Sequence, residues 1–465
     1  MSKLTAQQAV EHALRLSRAD GCIVIVDVHS HVDLRWAVNS LTSNGRSTSW
    51  ELTVIATVDG ATGTSVGTVS RSGVAPDQIE SVVRAAERAA QDSTAAEDAQ
   101  PLAEPGLLAA DDGWDEPPAE TSAAVFGALA PALGEAFKHA TADDRSLFGF
   151  AEHDTTTTYL GTSSGLRLRH AQPSGRLELN GKSADFSRSA WMGSYTRDFT
   201  DVDIAALDAS LTTRLGWAER RVDLPAGRYE TLLPPSAVAD LMIPFYWSAS
   251  ARDAHEGRTV FGKGAGETRV GERLTDQPLT VRSDPGAAGL ECCPFVVAHA
   301  STAEQSIFDN GLPGPAVRWV DDGVLAALLQ TRHSAELTGL PATFGVDNLI
   351  VEGPADAPDL DTMIANTSRG LLLTCLWYVR TVDPATLLLT GLTRDGVYLV
   401  ENGEVTAAVN NFRFNESPVG MLGRVTEIGR SEHTLARELS DYFTRTSMSP
   451  LRVAEFNMST VSDAS

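Results

Sequence analysis

The chain holds one His-Glu pair, His255-Glu256, and it is the first place where residue types and spacing suggest chemistry. It lies in the stretch Tyr246 to Leu274, YWSASARDAHEGRTVFGKGAGETRVGERL, ahead of the strand-like PLTVRS. In an HExxH zinc peptidase, two histidines four apart on one helix, separated by about 40° of rotation, reach a single metal. The Glu beside the first then deprotonates the bound water. Here Thr259 and Val260 occupy the fourth and fifth positions after His255, and the next histidine is His299. One helical turn therefore offers one imidazole. His255 and Glu256 stand as catalytic candidates against the plainer reading of a solvated surface pair. In the Gly-rich loop that follows, Lys263, Arg269 and Arg273 could meet an acidic or carboxyl-bearing ligand. The loop lacks GxxxxGK[ST], and no helix clearly opens after it to present its N-terminus to a phosphate.

Other motifs carry less. VDVHSHVD places His29 and His31 on one face of a strand, as in the metal-binding strand of an amidohydrolase barrel. The β/α repeats such a barrel needs do not follow. Two GxSxG matches, Gly63 to Gly67 and Gly161 to Gly165, are followed by strand-like or turn-like sequence where a nucleophile elbow requires a helix. Both read as hairpin turns. Cys22, Cys292, Cys293 and Cys375 include no CxxC pair, and the chain starts on a polar amphipathic segment; reduced thiols in the cytoplasm are expected.

The elements that must position these residues follow from composition and pattern. At 465 residues, two domains or more are expected, and 42% hydrophobic with 21% charged residues is ordinary globular composition. A formal charge of −24 argues against nucleic acid or an anionic membrane as main partner. The apolar runs are too short to span a bilayer. Helices are expected over Leu4–Ser17, Asp77–Ala90, Ala119–Ala140, Asp203–Arg220 and a segment from Ser236 that Pro244 should disturb. Weaker helical patches fall at Asp322–Ser334 and Leu360–Asn366. Strand chemistry fills most of the rest. It includes two strands over Gly21–Gly45, a hairpin with its turn at Gly60 and Gly63, and an Asn402-Gly403 type I′ hairpin. From Asp92 to Thr121 there is no Lys or Arg, and the segment reads as an acidic linker over the surface. The expected fold class is α+β. A helix-plus-antiparallel-sheet domain over 1–221 precedes a mainly antiparallel β domain with a few helices over 222–465.

Several stretches together resemble the TldD/PmbA (TldE) metallopeptidase family. They are GRYETLLPPSAVADLM, RVGERLTDQPLTVRSDP, SRGLLLTCLWYVRTVDPATLLLTG, GVYLVENGEVTAAVNNFRFNESPVGML and LRVAEFNMS, with VDLRWAVNSLTSNG and LGTSSGL in the first half. The resemblance covers nearly the whole chain. It implies an HExxxH zinc helix and a C-terminal zinc-binding cysteine in TldD-type members, and neither in the PmbA/TldE type. Counted back from VGER without gaps, the family's His, Glu and His positions fall at about Trp247, Ser248 and Arg252, so His255-Glu256 is out of register. No cysteine follows Cys375.

The resemblance thus implies a TldE-like, non-catalytic subunit of a two-component zinc metallopeptidase acting on small unfolded peptides. Zinc is expected in a TldD-type partner and no cofactor in this chain. Assembly is expected as a heterodimer with that partner or as a homodimer. The alternatives are a metallopeptidase with an unconventional site of its own, or a homodimeric peptide-binding module without catalysis.

Overall fold

The structure, a computed structural model, describes residues 4–107, 113–264 and 266–463. Helix α1 (Ala6–Leu16) begins where the Thr5 hydroxyl accepts the Gln8 amide at 3.2 Å while the Gln8 side chain accepts the Thr5 amide at 3.0 Å. This reciprocal cap satisfies two amides that a helix start leaves open. Ala6, Ala9, Val10 and Ala13 then form its buried stripe. The strands β1 (Gly21–Ala37), β2 (Ser40–Gly60), β3 (Gly63–Ser72), β4 (Arg145–Thr162), β5 (Arg167–Ser183) and β6 (Ser189–Thr196) form one antiparallel sheet in the order β3-β2-β1-β4-β5-β6. Helices α2 (Ile79–Asp92), α3 (Leu129–Ala142) and α4 (Ile204–Trp217) join α1 on a single face of it. Period-two alternation puts Val24, Val26, Val32, Leu34 and Trp36 of β1 on that covered face. At Gly67 the sheet has no side chain to spare: a Cβ there would press into the Ala86 carbonyl and Ala90 amide of α2.

The opposite face of β1 carries Ile23 and Ile25, which pack on Phe295, Ile307 and Phe308 from the second half of the chain. Further along, the same face carries Asp27, His29, His31 and Asp33, each opposite a polar residue of β4.

In the second half, β7 (Arg221–Val222) and β8 (Gly227–Leu233) belong to a large mixed sheet. There β8 pairs parallel with Arg369–Leu373 and antiparallel with Leu451–Val461. A second sheet joins Thr280–Ser283, Val317–Asp321, Leu349–Glu352 and Thr446–Met448. Helix α5 (Pro235–Trp247) lies in the core common to both sheets. It packs with Val281, Trp319 and Val351 from one and Leu371, Phe412 and Phe456 from the other. The architecture is α+β with mostly antiparallel sheets.

Some expectations need correction. The residues expected as a separate strand before the Gly60–Gly63 hairpin are continuous with it: β2 runs unbroken from Ser40 to Gly60, paired with β1 from Ser40 to Thr57. Helix α5 passes through Pro244 to Trp247 because nine of its residues are buried, so packing outweighs the amide that proline lacks. The helix expected over Asp322–Ser334 is largely extended, with helix only at Arg332–Thr338. Its amides are taken one by one by distant carbonyls, Leu325 by Glu272, Ala326 by Trp319 and Leu329 by Ala249. The acidic segment is more than a solvated linker. Ala103 is buried, Glu97 pairs with Arg252 at 2.6 Å, and Asp98 accepts hydrogen bonds from Ser301 and Ser306. Of that segment, 108–112 lie outside the described residues.

Candidate functional site

The C-terminal end of α5 is the focus. Trp247 is the last residue of the helix, Ser248 caps it, and a short helix α6 (Ala251–His255) starts after Ser250. Trp247, Ser248 and Arg252 therefore straddle a break between two helices. A pair of ligands five residues apart on one helix has no continuous helix here to hold it. Their chemistry does not suit zinc either: an indole, a hydroxyl, and a guanidinium ion-paired to Glu97 at 2.6 Å and Glu256 at 3.1 Å. Those carboxylates hold the Arg252 guanidinium even more firmly protonated than usual. Among the described residues no group of three or more His, Cys, Asp or Glu is placed to hold a metal. Burial pushes the Cys292 thiol up to about 11 and Cys293 to about 12, and raises Cys375 as well, so none presents a ready thiolate.

His255 ends α6, where its carbonyl accepts the Gly266 amide at 2.7 Å. Glu256 turns outward into ion pairs with Arg252 and, at 2.7 Å, with Arg258. Glu256 thus belongs to a surface charge network, and His255 is its neighbour in sequence at the helix end. The basic loop folds back on itself. Lys263 and Arg269 both close on Glu272, at 2.7 and 2.6 Å. Arg273 donates to the carbonyls of Thr275 and Asp322. His29 bonds Thr156 at 3.0 Å and His31 bonds Asp154 at 2.7 Å, both across the β1–β4 pair. Asp27 accepts from Thr158 and meets His299 Nε2 at 2.8 Å, joining the first sheet to the second half. The two GxSxG segments lie at the β2–β3 and β4–β5 turns.

What sequence reasoning missed is a cleft of about 700 Å³ beside Trp247. Its walls come from segments far apart in the chain: Tyr246 and Trp247, then Phe295 to Val297, Glu304 to Ser306, Phe344 to Asp347, and Tyr442 with Phe443. The Tyr246 hydroxyl fixes one wall, donating to the Val346 carbonyl at 2.9 Å and accepting its amide at 2.8 Å. The segment leading into Tyr442 and Phe443 hangs from Asp240, a fully buried α5 residue whose carboxyl oxygens accept the amides of Arg437, Glu438 and Leu439. Burial pushes the Asp240 carboxyl up to about 8, against those three amides, which pull it down. Trp247 packs edge-on to Phe443 at 6.4 Å yet stays 41% exposed, and Tyr442 is 76% exposed, so both present aromatic surface to a ligand. The adjacent Tyr442-Phe443 in the polar run SDYFTRTS was the one sequence signal for this wall.

Comparison with known proteins fits this architecture. A family model for the PmbA/TldA metallopeptidase C-terminal domain matches residues 226–460, half of the chain. The chain belongs to the TldD/PmbA metallopeptidase family. Among solved structures, TldE from Thermococcus kodakarensis superposes with a TM-score of 0.76 at 14% identity, covering 96% of this chain and 98% of that one. A protein named as a modulator of DNA gyrase from Bacteroides thetaiotaomicron gives 0.74 at 15% identity, over 97% of each chain. Another so named, from Thermotoga maritima, gives 0.74 at 16% identity, over 97% of this chain and 100% of that one. At such identities the likeness is one of fold. A search of curated proteins finds no match. No helix of the described residues is long and apolar enough to cross a membrane.

Proposed function

We propose that this chain is a TldE-like, non-catalytic subunit of a two-component zinc metallopeptidase that processes small unfolded peptides in the cytoplasm. The reading divides the chain at 221/222 into an N-terminal α/β domain and a C-terminal metalloprotease-like domain. The observation that carries it is the end of α5: where the family's metal positions fall, Trp247, Ser248 and Arg252 offer no zinc ligand, yet a peptide-sized cleft opens beside them. Zinc and its hydroxide would belong to a TldD-type partner. This chain's own residues would orient an extended peptide and shield it from water, with Tyr246 and Asp240 holding the lining segments in place.

A tagged pull-down with metal analysis tests this. The expected result is a heterodimer with an HExxxH-bearing relative that carries the zinc. Recovery of the chain only with itself, and with peptide-binding capacity, would favour a homodimeric binding module instead. One zinc per isolated chain, lost in His255→Ala, would make the chain a peptidase in its own right.

A further inference from the structure

The cleft beside Trp247 has a chemical bias. Its lining includes Glu304, Asp309 and Asp347, and no Lys, Arg or His among the described residues. Asp309 and Asp347 are neutralised from behind, by Arg332 at 2.6 Å and by Arg445. Glu304 has no cationic partner within ion-pair distance among the described residues; its carboxylate accepts the Thr302 hydroxyl at 2.8 Å. The exposed faces nearby are those of an indole and a phenol, which attract cations as well as apolar groups. The whole chain carries −24 formal charge, so its long-range field draws in cations and repels anions.

We propose that this cleft binds extended peptides in which Lys or Arg alternates with aromatic or large aliphatic residues. This rests on the peptide-holding reading above and specifies the peptide's chemistry. An apolar side chain would sit against Trp247 and Tyr442, and a neighbouring cation would meet Glu304. The negative lining disfavours acidic peptides through unpaired like charge at close range.

The test titrates the purified full-length chain against three fluorescein-labelled peptides of equal length, followed by anisotropy. They alternate Lys-Phe, Lys-Ser and Glu-Phe. The expected order places Lys-Phe at least tenfold tighter than either of the others. Glu304→Gln should weaken Lys-Phe binding severalfold, and raised salt should do the same. Tyr442→Ala and Trp247→Ala should each weaken it about tenfold; Tyr442 is exposed enough that its removal leaves the fold intact, which an unchanged thermal midpoint would verify.

Equal affinity for Glu-Phe and Lys-Phe, with both sensitive to Trp247→Ala, would overturn the cationic preference and leave peptide holding in place. Lys-Phe binding indifferent to Trp247→Ala, Tyr442→Ala and Glu304→Gln would overturn the cleft as the site. Absence of binding by any peptide would overturn this inference together with peptide holding by the chain alone; association with a zinc subunit, read in the separate pull-down, would then still decide the subunit role.

Discussion

Replacing Asp240 by Asn should change how stability depends on pH. The carboxyl has no exposed surface, and burial raises its folded pKa from 3.8 to about 8. In the unfolded chain it loses its proton near pH 4. Between roughly pH 4 and roughly pH 8 the folded state therefore holds a proton that the unfolded state has released. The sign follows: the stability associated with this group is greatest below that window and is lost as pH rises through it. A rise of about four units at about 1.4 kcal/mol each sets a ceiling of roughly 6 kcal/mol. Asn cannot ionise, so Asp240→Asn lacks this slope. Urea unfolding of both proteins between about pH 5 and about pH 9 gives the difference in unfolding free energy, in which the other titrating groups cancel. That difference should move against the wild type by several kcal/mol as pH rises. A constant difference, or one moving in favour of the wild type, would refute the reasoning. It would mean that the amides of Arg437, Glu438 and Leu439 outweigh burial and keep Asp240 ionised in the fold.

Three further outcomes are expected. Arg437→Ala removes a guanidinium that lies 3.9 Å over Trp377 and bonds Glu178 at 2.9 Å. It leaves Glu178 buried with Trp191 and Ser440 as its polar partners among the described residues, and should cost about 3–5 kcal/mol in denaturant unfolding. Gly67→Ala forces α2 away from β3 and should cost about 1–3 kcal/mol, seen as a lowered thermal midpoint. The Asp27 carboxylate raises the pKa of His299, so by proton NMR its imidazole should titrate above 6.5 and fall in Asp27→Asn. The accompanying stabilisation is full below the unfolded value and is lost as pH rises through the folded one.

Local rules made part of this fold readable. The helix expected over Leu4–Ser17 forms as α1, and Asn402-Gly403, with φ of 51° and 84°, sits at its hairpin as the dipeptide demands. The failures came where tertiary contacts override local preference. The Ala- and Leu-rich run at 324–329 has helical composition, but the amides of Leu325, Ala326 and Leu329 bond the carbonyls of Glu272, Trp319 and Ala249. The second strand was expected to end by Gly45, yet β1 supplies partners on both sides of that residue and β2 continues. For the site, the residue types at the positions counted from the family pattern, Trp247, Ser248 and Arg252, were legible in the sequence. The cleft was not, because Trp247, Phe295, Phe344 and Tyr442 meet only after both sheets have closed on α5.

On the function proposed above, this chain holds no zinc site of its own. The most direct measurement is elemental analysis of the purified chain after equilibration with excess zinc and desalting. Far less than one zinc per chain is expected, unchanged by His255→Ala. One tightly held zinc per chain, lost in that variant, would contradict it.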